Sequence, residues 1–389
     1  MHTHSLASAR FLTLACGMLL ATAAASAAPA PAPAIAAPGS AAAATTAAPL
    51  SVVVTIAPLR IITERIVPPG STIEQLIPNG VSEHGYEIPP GKLRLLSRAD
   101  LLVQVGGGLE PQVDKAVAAA PKPSTKPNAA PGTTTTPARR IVRLESLAQA
   151  GGDSDKHADH DHDHDHADHA DHAASPAQAP AAPAKPHVHT EDCDHSADND
   201  PHWWLDPMQV EKLASEIARQ TLAALKPRLS AEQYAAAETN INARAQAVIA
   251  DIRQLDADYT AALAGKAHRT LVVTHDAWGH LARRYNLTTV PLKGLTATEP
   301  TMASLKAASE AVTSKKLTTI FIEPQLSPAA AKRIAESTGA RTALLDPLGT
   351  GDWFVMMRSN LAAIAASLPD APSAPSSTRS TGALAPASR

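Results

Sequence analysis

The strongest constraint in this sequence is a strand–helix alternation that runs twice, on either side of a long alanine-rich helical segment. Ser51–Ile56 (SVVVTI) is a continuous apolar, β-branched run, the pattern of a strand buried on both faces. Leu59–Val67 follows as a short helix. Thr72–Leu76 reads as a second strand, ended by the Pro78-Asn79-Gly80 turn signal. Pro90–Arg98 reads as a helix with proline in its first turn. Asp100–Val105 is a third strand closed by three glycines, and Glu110–Ala120 another helix. The second series has strands Thr270–Thr274, Thr288–Pro291, Thr318–Ile322 and Ala340–Leu345. Its helices are Asp276–Tyr285, Met302–Ser314, Pro328–Ser337 and Trp353–Leu368. Between the series lie helical segments Pro207–Leu225 and Ala231–Leu263, the latter about 50 Å long at 1.5 Å per residue. Strands alternating with helices predict parallel sheets. The expected fold class is therefore α/β: two α/β lobes with parallel sheets, joined by a long backbone helix. Open sheets of this kind bind ligands at the carboxyl ends of their strands, so two facing lobes form a cleft there.

Three stretches lack the apolar content for a core: 1–49, 121–200 and 369–389. The remainder suffices for two modest lobes. The boundaries read from these shifts are a signal peptide over 1–28, an Ala/Pro-rich flexible tether over 29–49 and a first lobe over 50–225. Within that lobe, 121–200 is expected to be a disordered His/Asp-rich insert. A linking helix over 226–267, a second lobe over 268–368 and a disordered tail over 369–389 follow. The start of the chain has a polar stretch, a short apolar core at Phe11–Leu20 and small residues near Ala25–Ala27, the layout of a secretory signal. Phe11–Leu20 is too short to span a bilayer. Thr13-Leu14-Ala15-Cys16 faintly resembles a lipoprotein box, but its cysteine falls inside the apolar run, so a soluble exported protein is expected over a lipid-anchored one. Of the two cysteines, Cys16 and Cys193, only Cys193 survives cleavage, so no intramolecular disulfide is expected. A formal net charge of -3 gives no broad basic surface, and 3% aromatics supply few stacking platforms. Nucleic acid is excluded as a partner on both counts.

The residues just after the strands carry the chemistry. Ser82-Glu83-His84 follows the second strand, Asp200-Pro201-His202 precedes helix Pro207–Leu225, and His275-Asp276 ends a strand of the second series. Glu323 and Asp346 sit after two further strands, where each can also cap the helix that follows. Outside the insert and the N-terminal signal there are five histidines. His84, His202 and His275 occupy mouth positions. His268 falls at the opposite strand end, and His280 lies about 140° around a helix from His275. Trp203-Trp204 reads as packing, and Gly106-Gly107-Gly108 as a turn, because it lacks the Lys-Ser/Thr of a phosphate loop. Three imidazoles favour zinc, copper, nickel or iron over the hard cations. Three imidazoles with one oxygen make a four-coordinate zinc shell.

At these residues the sequence resembles the metal-binding solute-binding proteins of bacterial ABC importers, cluster A-I, and most closely its zinc-specific, ZnuA-type branch. The segments that carry the resemblance are LIPNGVSEHGYEIPPGKLRLLSRADLLVQVGGGLE, DPHWWLDP, LVVTHDAWGHLARRYNL, IFIEPQLSPAAAKRIAESTGA and LLDPLGTGDWF. The resemblance implies a metal cleft between the lobes, with His84 and His202 as ligands from the first lobe and His275 from the second. It implies that Glu83 closes the shell directly or through water, and that Asp346 matches the fourth ligand of other cluster members. The manganese branch tends to carry a carboxylate at the position of His275, so histidine there implies zinc. Some zinc-branch members have a disulfide in the second lobe; this chain has no cysteine there. The implied function is a monomeric periplasmic receptor that is no enzyme. It would bind Zn2+ as cargo and deliver it to the membrane subunit of an ABC permease. Two alternatives remain open at this level: a manganese or iron receptor of the same class, and a zinc-dependent hydrolase or lyase built on the same three histidines.

The insert adds ten histidines: His157, His160, His162, His164, His166, His169, His172, His187, His189 and His195. Residues 151–200 also hold 12 Asp and one Glu against two Lys. Such a segment repels itself and lacks apolar residues. It reads either as a solvated linker or as a weak, multivalent auxiliary metal site beside the cleft.

Overall fold

The computed structural model describes residues 48–119, 139–149 and 200–371, all within one compact unit. The first lobe begins with β1 (Ser51–Val54), α1 (Ala57–Ile66), β2 (Thr72–Gln75) and the short α2 (Pro90–Leu93), which tightens into a 3-10 turn over Arg94–Ser97. Then come β3 (Leu101–Gln104), α3 (Pro111–Ala119), β4 (Arg140–Arg143) and α4 (Leu144–Gln149). Helices α5 (Pro207–Leu225) and α6 (Ala231–Leu263) lead to the second lobe: β5 (Thr270–His275), α7 (Gly279–Arg284), β6 (Thr288–Lys293) and α8 (Met302–Ser314). It ends with β7 (Thr319–Ile322), α9 (Ala329–Thr338), β8 (Arg341–Leu344) and α10 (Trp353–Ser367). Each lobe holds a four-stranded sheet whose strand pairs are all parallel, ordered β2-β1-β3-β4 and β6-β5-β7-β8.

Two-sided burial explains the apolar runs. Along β1, Val52 and Val54 enter the core shared by both lobes, while Val53 packs into a separate cluster on the outer face of the first sheet. β5 repeats the device: Leu271 and Val273 face the shared core and Val272 faces the outer cluster of the second lobe. Side chains alternate across a strand, so a run apolar at every position serves both faces.

Helix α6 ties the lobes together. Ser230 and Gln233 form a capping box at its start, satisfying donors that the first turn leaves unpaired. Arg244 donates to the carbonyls of Glu64 and Ile66 at the end of α1 (3.0 and 3.1 Å), and Tyr259 donates to the Met357 carbonyl on α10 (2.7 Å). The lobes also meet directly. Trp204 Nε1 donates to the Pro347 carbonyl (2.6 Å), and Trp353 Nε1 to the Trp204 carbonyl (2.9 Å).

Several expectations need correction. The stretch 121–200 is not wholly without structure: β4 and α4 lie inside it, and β4 pairs with β3 from Leu101↔Arg140 to Gln104↔Arg143. Its sequence, RIVR, offers only two apolar residues, because an edge strand needs less burial. The tail expected from 369 is paired at its start: Ala267 N donates to the Pro369 carbonyl and Ala371 N to the Gly265 carbonyl. Helix α7 starts at Gly279 rather than Asp276, since residues 276–278 turn away from the strand end. The expected signal peptide, both cysteines and the ten insert histidines lie outside the described residues.

Candidate metal centre

Both sheets point their carboxyl ends at one place. His275 is the last residue of β5, in the middle of the second sheet, and is 1% exposed. Its Nδ1 lies 2.6 Å from Glu323 Oε2, just past the end of the neighbouring parallel strand β7. Parallel neighbours in register bring the histidine and its carboxylate together. His202 sits on the loop before α5 and is fully buried. Asp200, two residues earlier, folds back so that its Oδ1 accepts from both His202 N (2.9 Å) and His202 Nδ1 (2.7 Å). Glu83 and His84 come from the loop after β2. Ser82 Oγ accepts from His84 N (3.3 Å) and donates to Glu83 Oε2 (3.4 Å).

Four ligand atoms converge here. The Nε2 atoms of His84 and His275 lie 3.2 and 3.3 Å from His202 Nε2, and Glu83 Oε1 lies 3.5 Å from His202 Nε2 and 3.7 Å from His84 Nε2. All four lie within 4.8 Å of one another. The three rings meet edgewise, with centroids 5.1–5.3 Å apart and interplanar angles of 65°, 84° and 66°. A tetrahedral ion with bonds of about 2.0–2.1 Å has ligand–ligand edges of about 3.3–3.4 Å. Four of the six spacings, at 3.2–3.7 Å, lie close to those edges.

The outer hydrogen bonds set the direction of the inner lone pairs. An ionised carboxylate only accepts, so the Nδ1 atoms of His202 and His275 donate to Asp200 and Glu323. In the neutral rings this turns the Nε2 lone pairs toward each other across 3.3 Å. Glu83 Oε1 is buried and has no hydrogen-bond partner among the described residues. Such an arrangement demands a cation at its centre.

Without a metal, a proton meets part of that demand. Burial works against a charge on His202, but its bond to Asp200 and the pull of the nearby Asp200 and Glu83 carboxylates outweigh burial and push its pKa up to about 9. Burial likewise opposes the Glu83 anion, yet the closeness of His202, with lesser contributions from His84 and His275, holds it down at about 2. His84 goes the other way: burial lowers it to about 4, against the pull of Glu83. The centre thus has a carboxylate, one ring that favours the proton and one that favours neutrality. A metal ion held here would take the place of the His202 proton.

The structure brings together Glu83, His84, His202 and His275, and does not bring Asp346 to them. Asp346 Oδ1 instead organises a turn, accepting from Gln325 Nε2 (2.8 Å), Leu348 N (3.0 Å) and Gly349 N (2.9 Å). Neither Asp346 nor Glu323 caps a helix, because α10 is capped by Asp352 and α9 starts after Pro328. His268 is exposed, and His280 bonds to Asp200 rather than to the cluster. The tryptophans pack as expected: Trp204 is fully buried, with its ring 5.1 Å from that of His202. Gly107 has φ +62°, and a Cβ there would come within 2.6 Å of the Trp203 ring, so this turn needs glycine. Sequence reasoning missed the supporting carboxylates. For Asp200 a signal existed: an acid two residues before a histidine can fold back onto it. For Glu323 the signal was its place after the strand next to β5.

Fold and site together define a two-lobed α/β protein with a buried three-histidine, one-carboxylate cluster closed by loops and strand ends from both lobes. The chain belongs to the family described as zinc-uptake complex component A periplasmic (ZnuA), whose model matches residues 52–367. The high-affinity zinc uptake system protein ZnuA of Haemophilus ducreyi is 31% identical over 313 residues, covering 78% of this chain and 87% of the relative. The zinc-binding protein AdcA of Streptococcus pyogenes serotype M6 is 29% identical over 192 residues; that match takes in 46% of this chain but only 36% of AdcA. The periplasmic zinc-binding protein TroA of Treponema pallidum shares the fold, with a TM-score of 0.60 at 18% identity over 83% of this chain and all of that one. Among the described residues, no helix is long and apolar enough to cross a membrane.

Proposed function

We propose that this protein is a zinc receptor of a periplasmic uptake system, which captures Zn2+ at Glu83, His84, His202 and His275 and delivers it to an ABC permease. The observation that carries this reading is the convergence of four ligand atoms within 4.8 Å of one another, three of them on buried residues, with one histidine from each lobe held by a carboxylate. The site is donor-complete with protein atoms alone. A catalytic zinc keeps a position open for water or substrate, so the donor set favours cargo over catalysis. Three nitrogens favour zinc over manganese, which prefers oxygen. The match to a zinc-uptake family supports the same reading.

Capture proceeds as exchange: the ion takes the place of the His202 proton, and Glu83 contributes the charge that keeps it there. Release falls to the permease, because a closed shell held from both lobes lets go slowly. The protein acts as a monomer exported by its N-terminal signal. The histidines of 157–195 gather zinc weakly and raise its concentration at the cleft. The test is metal analysis of protein purified without added metal, followed by competitive titration with zinc and manganese, for the full chain and for a 153–195 deletion. One tight zinc site is expected in both, with weaker sites only in the full chain. A preference for manganese overturns the cargo assignment, and loss of the tight site on deletion overturns the auxiliary role of the tract.

A further inference from the structure

Helix α7 of the second lobe lies against the loop that carries His202. His280 Nε2 is 2.8 Å from the Asp200 carbonyl oxygen, and Arg283 Nη2 is 2.7 Å from His280 Nδ1. A guanidinium can only donate, so His280 Nδ1 accepts and the ring's proton sits on Nε2, aimed at the Asp200 carbonyl. The chain of donors continues inward without conflict. Asp200 Oδ1 accepts from His202 N and His202 Nδ1, which directs His202 Nε2 at the ligand cluster. The same helix presses on this loop at three more points. A Cβ on Gly279 would stand 2.6 Å from Asp200 Oδ2. The His280 and Trp203 rings lie 5.5 Å apart. Arg284 Nε lies 3.6 Å from Asp206 Oδ1, while the same guanidinium takes both carboxylate oxygens of Asp256 on α6 (2.6 and 2.7 Å). The loop from Asp200 to Asp206 is therefore braced from the second lobe, by a helix that begins four residues after the ligand His275.

We propose that His280 is a positioning residue for the metal: its bond to the Asp200 carbonyl fixes the Asp200–His202 unit, so the second lobe sets the orientation of a first-lobe ligand without touching the ion. The inference rests on the zinc reading above. Loss of His280 leaves a buried carbonyl without its donor and frees the Asp200 peptide to rotate, which swings the carboxylate that holds the His202 ring. Outer partners of metal-ligating histidines govern affinity by about 10–100-fold, and a swung ring also distorts the tetrahedron.

The test reads two quantities for wild type, His280→Phe and His280→Gln: the zinc Kd by chelator competition, and the visible absorption of the cobalt(II)-loaded protein, which reports coordination geometry. Phenylalanine keeps the ring volume against Trp203 and removes the donor; the glutamine amide returns a donor. His280→Phe is expected to bind zinc about 10–100-fold more weakly with altered cobalt bands, and His280→Gln to recover most of the affinity and the wild-type spectrum. A His280→Phe protein equal to wild type in both readings overturns the proposal, and so does a His280→Gln protein as impaired as His280→Phe. Should His280→Phe fail to fold, His280→Met, which also fills the space and removes the donor to the Asp200 carbonyl, decides by the same readings: weaker zinc with altered bands supports the proposal, unchanged values overturn it. A wild-type protein that binds neither ion overturns the zinc reading itself, and this inference with it.

Discussion

The two lobes share one plan and deliver ligands by different means. Each has four parallel strands in the order second, first, third, fourth. In the second lobe the candidate ligand is the terminal residue of a central strand, and its carboxylate partner follows the adjacent strand. The ladder itself fixes both. In the first lobe Glu83, His84 and His202 all lie on loops, held by short-range bonds to Ser82 and Asp200. A strand end supplies one rigid donor, whereas loops supply several with more latitude. His84 is the extreme case: its side chain is 11% exposed, and its loop is held through its backbone N–H, which donates to Ser82 Oγ. The second lobe is the anvil of this site, and the His84 loop its adjustable part.

The sharpest way to break that comparison is to remove ligands one at a time. His275→Ala and His202→Ala should each weaken zinc binding by more than about 100-fold, the upper limit for merely outer partners. His84→Ala should cost less, because a partly exposed ring on a loop contributes less preorganisation. At free zinc about 100 times Kd, binding adds about 2.7 kcal/mol to wild-type stability. Melting curves with and without zinc should show that gain nearly abolished in His275→Ala. If His84→Ala is as damaging as His275→Ala, the distinction between the lobes fails.

Next in size is the pH response of the metal-free protein. The folded-state pKa of His202 stands at about 9, above the ordinary value of 6.5. Its protonated form therefore contributes stability that is fully present below about pH 6.5 and is lost as pH rises through about 9. At about 1.4 kcal/mol per unit, the effect is on the order of 3 kcal/mol. Denaturant midpoints should fall between about pH 6.5 and pH 9.5 in wild type and stay nearly level in His202→Gln. A level wild-type curve would place the proton elsewhere.

The supporting carboxylates offer a direct comparison of the lobes. Asp200→Asn in the first and Glu323→Gln in the second should each lower zinc affinity by about 10–100-fold while leaving all four ligands in place. Asp200→Asn should be the more damaging, because Asp200 also holds the His202 backbone N–H. Zinc competition assays on the two variants rank them, and the reverse order contradicts the greater latitude assigned to the loop side. The smallest effect concerns the helix between the lobes. Ser230→Ala, which removes the α6 capping box, should cost about 1 kcal/mol in chemical denaturation and leave zinc affinity unchanged, since the cap lies at the far end of a rigid element.

Much of this was legible in the sequence because it depends on local pattern. The largely apolar runs of β1, β3 and β5 announce strands covered on both faces, and their alternation with helices announces parallel sheets. Helices α5, α6 and α8 have the bounds read from the sequence, because proline, serine and threonine mark their starts by chemistry confined to one turn. Strand ends could also be read as ligand positions, which singled out His84, His202 and His275. The edge strand β4 escaped, since two apolar residues between arginines carry almost no periodic signal.

What the tertiary structure alone decided is which mouth residues meet. Glu83, Glu323 and Asp346 looked alike as acids following strands, yet one faces the three histidines, one holds a histidine from behind and one builds a turn. The registers of β5 with its neighbours, and the bonding of the two tryptophans between lobes, set those distances. Hydrophobic period and capping chemistry act over a few residues and are written in sequence order. Convergence of side chains 73 to 192 positions apart depends on how two separately folded sheets are held, and no local pattern encodes that.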